Sequence, residues 1–202
     1  MSPRDPGGRN GMQTIDLAPA AAATATVVAG IRDDQLTAPT PCSGTPVAGL
    51  LGHLAGLAYA FRMAAEKTPV DGTASTDPAH LPADWRVFVP EQLDALAAAW
   101  RDPAAHEGTT AAGGVEMPGG VAAVVALDEV VVHGWDLAVA TGQPYDVDDA
   151  AADACREFAE SFGEDRPPDL YGPVVPVPAD APPLDRLLGA TGRDPRWRPP
   201  VS

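Results

Sequence analysis

Residues 120–143, with the sequence GVAAVVALDEVVVHGWDLAVATGQ, are apolar on almost every side, which is typical of a helix buried at the centre of a bundle. Glu129 and His133 are four residues apart in this stretch, and Asp136 follows three residues later. On a helix these side chains share one face, each about one turn above the last. The rest of that face is small and apolar: Ala122, Val125, Ala126 and Ala140.

A carboxylate and an imidazole buried among such residues must be hydrogen-bonded, ion-paired or bound to a metal, because desolvating either group alone is costly. Two interpretations of the Glu129 and His133 pair follow. The pair holds a metal ion, or it forms a hydrogen bond inside the core. A motif of this length does not distinguish the two by itself.

Four more helices are predicted on either side of this stretch, from caps, prolines and apolar periodicity. They cover residues 16–32, 45–67, 83–101 and 147–162. Thr45 is the predicted N-cap of the second helix, followed by Pro46 at its first helical position. Pro90 falls inside the third helix and is predicted to kink or split it. Residues 102–119 are glycine-rich and predicted to be irregular, with a short extended piece at residues 114–117.

The two ends of the chain are predicted to lack regular packing layers of their own. Residues 1–15 form a leader that is expected to be disordered, in which Met12 is a second candidate start. Residues 16–163 form the helical domain. Residues 164–202 are proline-rich and form an extended strap on it, with a helical turn or two at residues 183–188. The predicted fold is all-α, an antiparallel bundle of four or five helices with a proline-rich C-terminal strap.

Composition argues against several classes of partner and location. The 202 residues carry a formal net charge of −15, so nucleic acid and anionic membrane surfaces are not expected partners. Cys42 and Cys155 are too few for a disulfide framework or a thiolate zinc site, which fits a reducing cytoplasm. No stretch is expected to reach the roughly 18 apolar residues of a membrane-spanning helix. The sequence predicts a cytoplasmic protein and leaves monomer and homodimer open.

The predicted second helix supplies a further candidate ligand, His53, at the edge of its apolar stripe. A single histidine in this position is most simply a half-buried core residue. Two histidines and one carboxylate, however, are a common catalytic metal set that leaves a position for water or substrate. Such sets form on facing helices of a bundle. We therefore predict that His53, Glu129 and His133 bind one metal ion.

Three glycines, Gly49, Gly52 and Gly56, weaken the second helix by up to about 1 kcal/mol each relative to alanine. They predict that another group approaches this face closely. Together with the alanines of the central helix, they also predict an open pocket beside the metal.

Other polar residues have two interpretations each. Asp136 orients a ligand imidazole, since a metal-bound histidine usually donates its other N–H, or it has a surface or capping role. Cys42 is a thiol near the metal, or a small buried loop residue. His80 and His106 lie in polar connectors and are predicted to be solvated.

Several short motifs, taken together, resemble one known superfamily. They are PTPC at 39–42, V-x-x-L-L-x-H-L at 47–54, E-V-V-V-H-G-W-D-L-A at 129–138 and A-T-G-Q-P at 140–144. This combination is similar to the DinB-like superfamily. Its nearest branch includes the N-terminal domain of mycothiol-dependent maleylpyruvate isomerase and many small bacterial metal-binding proteins. The tail D-R-L-L-G-A-T-G-R-D-P-R-W at 185–197 is similar to that of the small-protein branch.

The resemblance covers nearly all of the chain after Asp16 and implies a four-helix DinB-like fold. It also implies a divalent metal, often zinc or nickel, held at the positions of His53, Glu129 and His133. The isomerase has a second domain, and the roughly 40 residues after the fifth predicted helix are too few for a domain of ordinary size. Maleylpyruvate isomerase activity is therefore not implied.

This sequence departs from the superfamily at three positions. Thr45 stands where members often carry Trp, Gly49 where a polar residue is common, and Val139 where Arg is common. None of the three is a metal ligand, so the predicted site is unaffected, while the shape of the pocket is left open.

Two functional hypotheses follow. The first is a metal-binding protein whose open His/Glu/His site takes a low-molecular-weight thiol such as mycothiol. The second is a metal-dependent thiol S-transferase or isomerase-like enzyme, in which the metal favours the nucleophilic thiolate. The first is slightly favoured, because the sequence shows ligands but no second catalytic group.

Overall fold

The computed structural model describes residues 15–68, 70, 72, 74–163, 165–166 and 170–200. Within them the chain is mostly helical and contains one small β-hairpin. The α-helices are α1 (Ala18–Gly30), α2 (Val47–Ala65), α3 (Trp85–Ala99), α4 (Gly119–Thr141), α5 (Asp149–Ser161) and α6 (Pro183–Ala190). Except for Ile15, the leader predicted at residues 1–15 and its Met12 lie outside the described residues.

The prediction of a helical fold is confirmed for most of the described residues, but the segment before α4 forms a small β-sheet, which an all-α fold does not include. Strands β1 (Thr109–Ala112) and β2 (Val115–Pro118) pair antiparallel, with Ala112 opposite Val115. Gly113 and Gly114 form the turn with φ of 59° and 79°, a left-handed conformation that glycine adopts without strain. The sequence indicated only the extended piece at residues 114–117, because strands this short carry too little alternation to identify.

Helix α4 lies at the centre of the helical packing. It contacts α1 and α2, which in turn both contact α3. Its apolar surface on nearly all sides explains this position. The helix ends, as predicted, at Gly142, which is left-handed with φ of 71° and is followed by Pro144.

Helix α2 begins one residue later than predicted. Its N-cap is Pro46, which is extended with ψ of 166° and makes no side-chain cap. Thr45 instead accepts a hydrogen bond at its carbonyl from the Thr40 hydroxyl, at 2.8 Å. Helix α3 runs through Pro90 as a single element and is not split.

Helix α2 also corrects the expectation about membrane-spanning stretches. By length and composition alone, this one described helix is apolar enough to cross a membrane. More than half of it is buried inside the fold, which is what a core helix rich in leucine and alanine shows.

The C-terminal segment returns across the helices and brings side chains to α4 and α5. Helix α6, two residues longer than predicted, packs against α5. Leu187 and Leu188 are fully buried and anchor it. After α6, Gly192 turns the chain with φ of 84°, so that the next residue, Arg193, points back toward α4.

Candidate metal centre

The side chains of His53, Glu129 and His133 meet between α2 and α4. Their potential ligand atoms all lie within 4.8 Å of one another. Nε2 of His133 is 3.1 Å from Oε2 of Glu129, and the two imidazole rings stand nearly perpendicular with centroids 5.3 Å apart. Two imidazole nitrogens and one carboxylate are donors that zinc and nickel accept.

The backbone of the α2–α3 connector fixes the orientation of His53. Its Nδ1 lies 3.0 Å from the carbonyl oxygen of Ala74. A carbonyl only accepts, so Nδ1 carries the proton and Nε2 is left with a lone pair. This is the tautomer that a histidine requires to ligate a metal through Nε2.

The glycines of α2 explain how the connector reaches His53. A Cβ at Gly49 would lie 2.2 Å from the carbonyl oxygen of Thr76, and one at Gly56 would lie 2.9 Å from Cβ of Ala74. The prediction of close approach to this face is confirmed. The prediction that these glycines open a pocket is wrong, because the connector covers them.

Asp136 holds the second imidazole. Its Oδ2 lies 3.0 Å from Nδ1 of His133, and Asp136 is fully buried. The hydrogen bond places the proton on Nδ1 and directs Nε2 toward Glu129. Both histidines therefore present Nε2 to the same point.

Arg193, from the C-terminal segment, is a contributor that the sequence did not reveal. Its Nη2 donates to Oδ2 of Asp136 at 3.2 Å, and its Nη1 donates to the carbonyl of Thr191 at 3.0 Å. The backbone N–H of Arg193 donates to the carbonyl of Leu188 at 2.8 Å, which ties the arginine to the end of α6. The tail motif at residues 185–197 was the one available signal, and it showed no partner for the arginine.

The charged groups of this cluster shift the pKa values of one another. Burial opposes a positive charge on His133, but hydrogen bonds to Asp136 and Glu129 outweigh it and raise the pKa of His133 to about 10. Burial alone would raise the pKa of Glu129, yet the bond to His133 holds that pKa below its ordinary value. Burial, assisted by the charge of His133, lowers the pKa of His53. Without a metal, Nε2 of His133 thus carries a proton that a metal ion would have to displace on binding.

A second buried carboxyl, that of Asp128, lies next to the ligands. Tyr171 donates to its Oδ2 at 2.9 Å, and Oδ1 is buried without a hydrogen-bond partner. Burial, with a further contribution from the charge of Glu129, raises the pKa of Asp128 to about 7. Burial also raises the pKa of the Tyr171 hydroxyl. The sequence did not reveal the contact between Asp128 and Tyr171, because the two residues are 43 positions apart in the chain.

A cavity of about 800 Å³ opens beside the three candidate ligands. Its walls come from α2, α4, α5, the hairpin and the C-terminal segment. Most of its lining is apolar: Leu57, Phe61, Val115, Met117, Val121, Val125, Val132, Phe158, Phe162 and Leu170. The alanines of α4 that were predicted to border the pocket lie in the core instead: Ala122, Ala126 and Ala140.

Cys42 lines this cavity and is half-buried. Its sulfur and ligand atoms of His133 and Asp136 lie within 4.8 Å of one another. Of its two interpretations, the geometry supports a thiol near one candidate metal ligand, His133. Cys155, in contrast, is fully buried in α5, and burial raises the pKa of its thiol.

The two remaining histidines lie away from the cluster. His80 is exposed, as predicted, with Nδ1 at 3.2 Å from the hydroxyl of Ser75. The prediction that His106 is solvated is wrong. It is half-buried, with Nε2 at 2.9 Å from the carbonyl of Trp100 and its ring edge-on to that indole.

The chain is similar to one known family and to two known proteins. The family profile of the mycothiol maleylpyruvate isomerase N-terminal domain matches residues 17–138. Two uncharacterized proteins of Mycobacterium tuberculosis, from strains CDC 1551 / Oshkosh and H37Rv, are each 31% identical to the chain over 188 residues. Each match covers 85% of this chain and 92% of the relative. No solved structure matches the chain.

Proposed function

Because the chain belongs to the mycothiol maleylpyruvate isomerase N-terminal domain family, which is DinB-like, we propose that it binds a divalent metal through His53, Glu129 and His133. Zinc or nickel is the metal that membership of this family implies, and both accept imidazole and carboxylate donors. The proposal extends to an open coordination position that takes a low-molecular-weight thiol such as mycothiol. The observation that carries it is the convergence of three ligand atoms, with both imidazoles held by their Nδ1 atoms.

The wider assignment is part of the same proposal. Helices α1 to α4 correspond to a DinB-like four-helix bundle, residues 16–163 form the domain, and residues 164–202 form a strap on it. We assign the protein to the cytoplasm and leave monomer and homodimer as its two oligomeric states. Neither nucleic acid nor a membrane is a partner in this proposal, because the net charge of −15 disfavours both.

A bound divalent ion would favour the thiolate form of the thiol, which is the nucleophilic form. Groups of the chain itself orient the two imidazoles and set the charge of the site. Asp136 keeps the proton on Nδ1 of His133, and the carbonyl of Ala74 keeps the proton on Nδ1 of His53. Glu129 brings one negative charge, so the charge of the ligand set with a divalent ion is positive and attracts an anionic thiolate.

Elemental analysis of the purified protein tests the metal. About one divalent ion per chain is expected, with strong loss in His53→Ala and in His133→Ala. His80→Ala and His106→Ala serve as matched controls and should retain the metal. Full metal content in both ligand variants would refute the site.

Cobalt substitution tests the thiol. Three protein ligands leave a four-coordinate ion one position short, and a cobalt–thiolate bond adds a charge-transfer band in the near ultraviolet. Titration with a small thiol should produce this band, and Glu129→Ala should abolish it. A spectrum indifferent to thiol, with cobalt still bound, would favour a closed structural site.

The second candidate function is a metal-dependent thiol S-transferase. The cavity of about 800 Å³ beside the ligands favours it, since a purely structural metal site needs no such space. A screen for metal-dependent conjugation of the thiol to electrophiles tests this candidate, and Glu129→Ala is its control. Maleylpyruvate isomerase activity itself is not proposed.

A further inference from the structure

The cavity next to the candidate metal ligands is far larger than a metal and its water require. Its volume is about 800 Å³, near the upper end of the range for small-molecule pockets, whereas one water in the liquid occupies about 30 Å³. The space away from the ligands is therefore available to a second molecule.

The wall of that space is aromatic and aliphatic. Phe158 of α5 and Phe162, which follows the end of that helix, pack edge to face with centroids 5.2 Å apart. The rings of Phe162 and Tyr171 also pack edge to face, with centroids 6.1 Å apart. At the rim, Val115 is 60% exposed and Val121 is 38% exposed. Apolar side chains thus extend from the interior to the surface, so an entering apolar molecule loses contact with water along the whole path.

With a metal bound and both imidazoles neutral, the described residues that line the cavity offer no free positive charge to a second anion. Among the described residues that line it, Arg193 alone carries a lysine or arginine charge. Its Nη2 is bound to Asp136 and its Nη1 to the carbonyl of Thr191. Its Nε is buried, out of reach of a ligand.

The local charge balance points the same way. With a divalent ion, two neutral imidazoles and the carboxylate of Glu129 leave one positive charge, which a bound thiolate neutralises. The buried carboxyl of Asp128 then lies beside the space that remains. A carboxylate, sulfonate or phosphate placed there would be desolvated without a counter-ion, which is costly.

We propose that this cavity binds an uncharged, apolar small molecule as the co-ligand of the thiol and discriminates against anions. The inference rests on the proposed metal and thiol site for its reactive end. Size and polarity of the walls define the ligand class as an aromatic or branched aliphatic compound without ionised groups. The pocket therefore differs from one that would receive a dicarboxylate.

A matched pair of fluorescent probes tests the inference on the intact chain. N-phenyl-1-naphthylamine is neutral, and 8-anilinonaphthalene-1-sulfonate is the same ring system with one added sulfonate. The neutral probe should bind saturably at one site per chain and at least tenfold more tightly than the sulfonate. Equal affinities, or tighter binding of the sulfonate, would overturn the inference.

Variants place the probe in the cavity. Phe158→Ala removes part of the aromatic wall, and Val115→Glu puts a charge on an exposed valine at the rim, where folding tolerates it. Each should weaken binding of the neutral probe severalfold. Val87→Glu changes another exposed valine, on α3 and outside the cavity, and should have no effect. Unchanged binding in both cavity variants would also overturn the inference.

Metal content, measured on the same samples, separates this inference from the proposed function. If the protein holds its metal but binds the sulfonate probe more tightly, the inference of an apolar co-ligand is refuted and the metal proposal stands. If the protein lacks metal at His53, Glu129 and His133 but binds the neutral probe more tightly, the metal proposal is refuted. The inference that the cavity binds an apolar molecule is then supported.

Discussion

Arg193 donates a hydrogen bond to Asp136 across 57 residues of chain, with Nη2 at 3.2 Å from Oδ2. The same oxygen lies 3.0 Å from Nδ1 of His133. One carboxylate oxygen therefore links the C-terminal segment to a candidate metal ligand. The positive charge of Arg193 also offsets the buried negative charge of Asp136, which would otherwise be desolvated with only the imidazole as partner.

Replacing Arg193 should weaken metal binding. Arg193→Met keeps the apolar stem and removes the hydrogen bond to Asp136, so the imidazole of His133 is held less firmly, and a loss of about tenfold in affinity is expected. Chelator competition measures the affinity. Arg196→Met is the matched control, because Arg196 pairs at the surface with Asp194. Equal metal affinities of the two variants would show that Arg193 does not contribute to metal binding.

Asp136→Asn should weaken metal binding by about 10- to 100-fold without unfolding the protein. The amide is nearly isosteric, but it donates as well as accepts and no longer carries the charge that holds the proton on Nδ1 of His133. The same chelator assay, run beside a thermal melt, checks both parts. Asp94→Asn on exposed α3 surface is a suitable control, and unchanged affinity in Asp136→Asn would leave the carboxylate without a role in metal binding.

Metal affinity should rise with pH from about 7 toward 10. The pKa of His133 is raised to about 10 in the metal-free protein, so in this range Nε2 carries a proton that the metal must displace. The pKa of Glu129 is lowered and that of His53 is lowered too, so neither adds a proton to the exchange near neutral pH. One proton released per metal gives about a tenfold rise in affinity per pH unit.

Competition with a chelator of known pH dependence measures this slope, and an indicator in weak buffer counts the released protons. His80→Ala should leave the slope unchanged, since His80 lies outside the cluster. A flat profile above pH 7 would show that His133 is already neutral in the metal-free protein.

Tyr171→Phe should lower the free energy of unfolding by about 1–3 kcal/mol. The substitution removes the hydrogen bond to Oδ2 of Asp128 and leaves a buried carboxyl whose Oδ1 already lacks a partner. Chemical denaturation of the metal-free protein measures the difference. Tyr59→Phe changes an exposed tyrosine and should have little effect. Equal free energies of unfolding of the two variants would show that the hydrogen bond from Tyr171 to Asp128 does not stabilise the protein.

The central helix could be predicted from the sequence because its signals are local. Apolar residues on all sides, the glycine at 142 and the proline at 144 set its position and its end, and spacing alone puts Glu129 and His133 on one face. The helix that carries His53 could be predicted from local signals too, namely Pro46 near its start and its apolar periodicity. The profile match over residues 17–138 covers this part of the chain.

Contacts that join distant segments could not be predicted. The carbonyl of Ala74 that orients His53 belongs to a backbone, which carries no residue-specific signal. Arg193 and Tyr171 reach α4 from a proline-rich segment without periodicity, so no pattern related them to Asp136 and Asp128. The hairpin wall of the cavity was missed for a similar reason, because its strands are only four residues each.

The half-buried thiol of Cys42 lies within 4.8 Å of ligand atoms of His133 and Asp136, while Cys155 is fully buried. The chain therefore carries its own sulfur next to His133, one of the three candidate metal ligands. Spectra that report a metal–sulfur bond must be recorded on Cys42→Ser before the sulfur can be assigned to the added compound. The same arrangement makes Cys42 a single attachment point for a spectroscopic label that would respond to whatever fills the cavity.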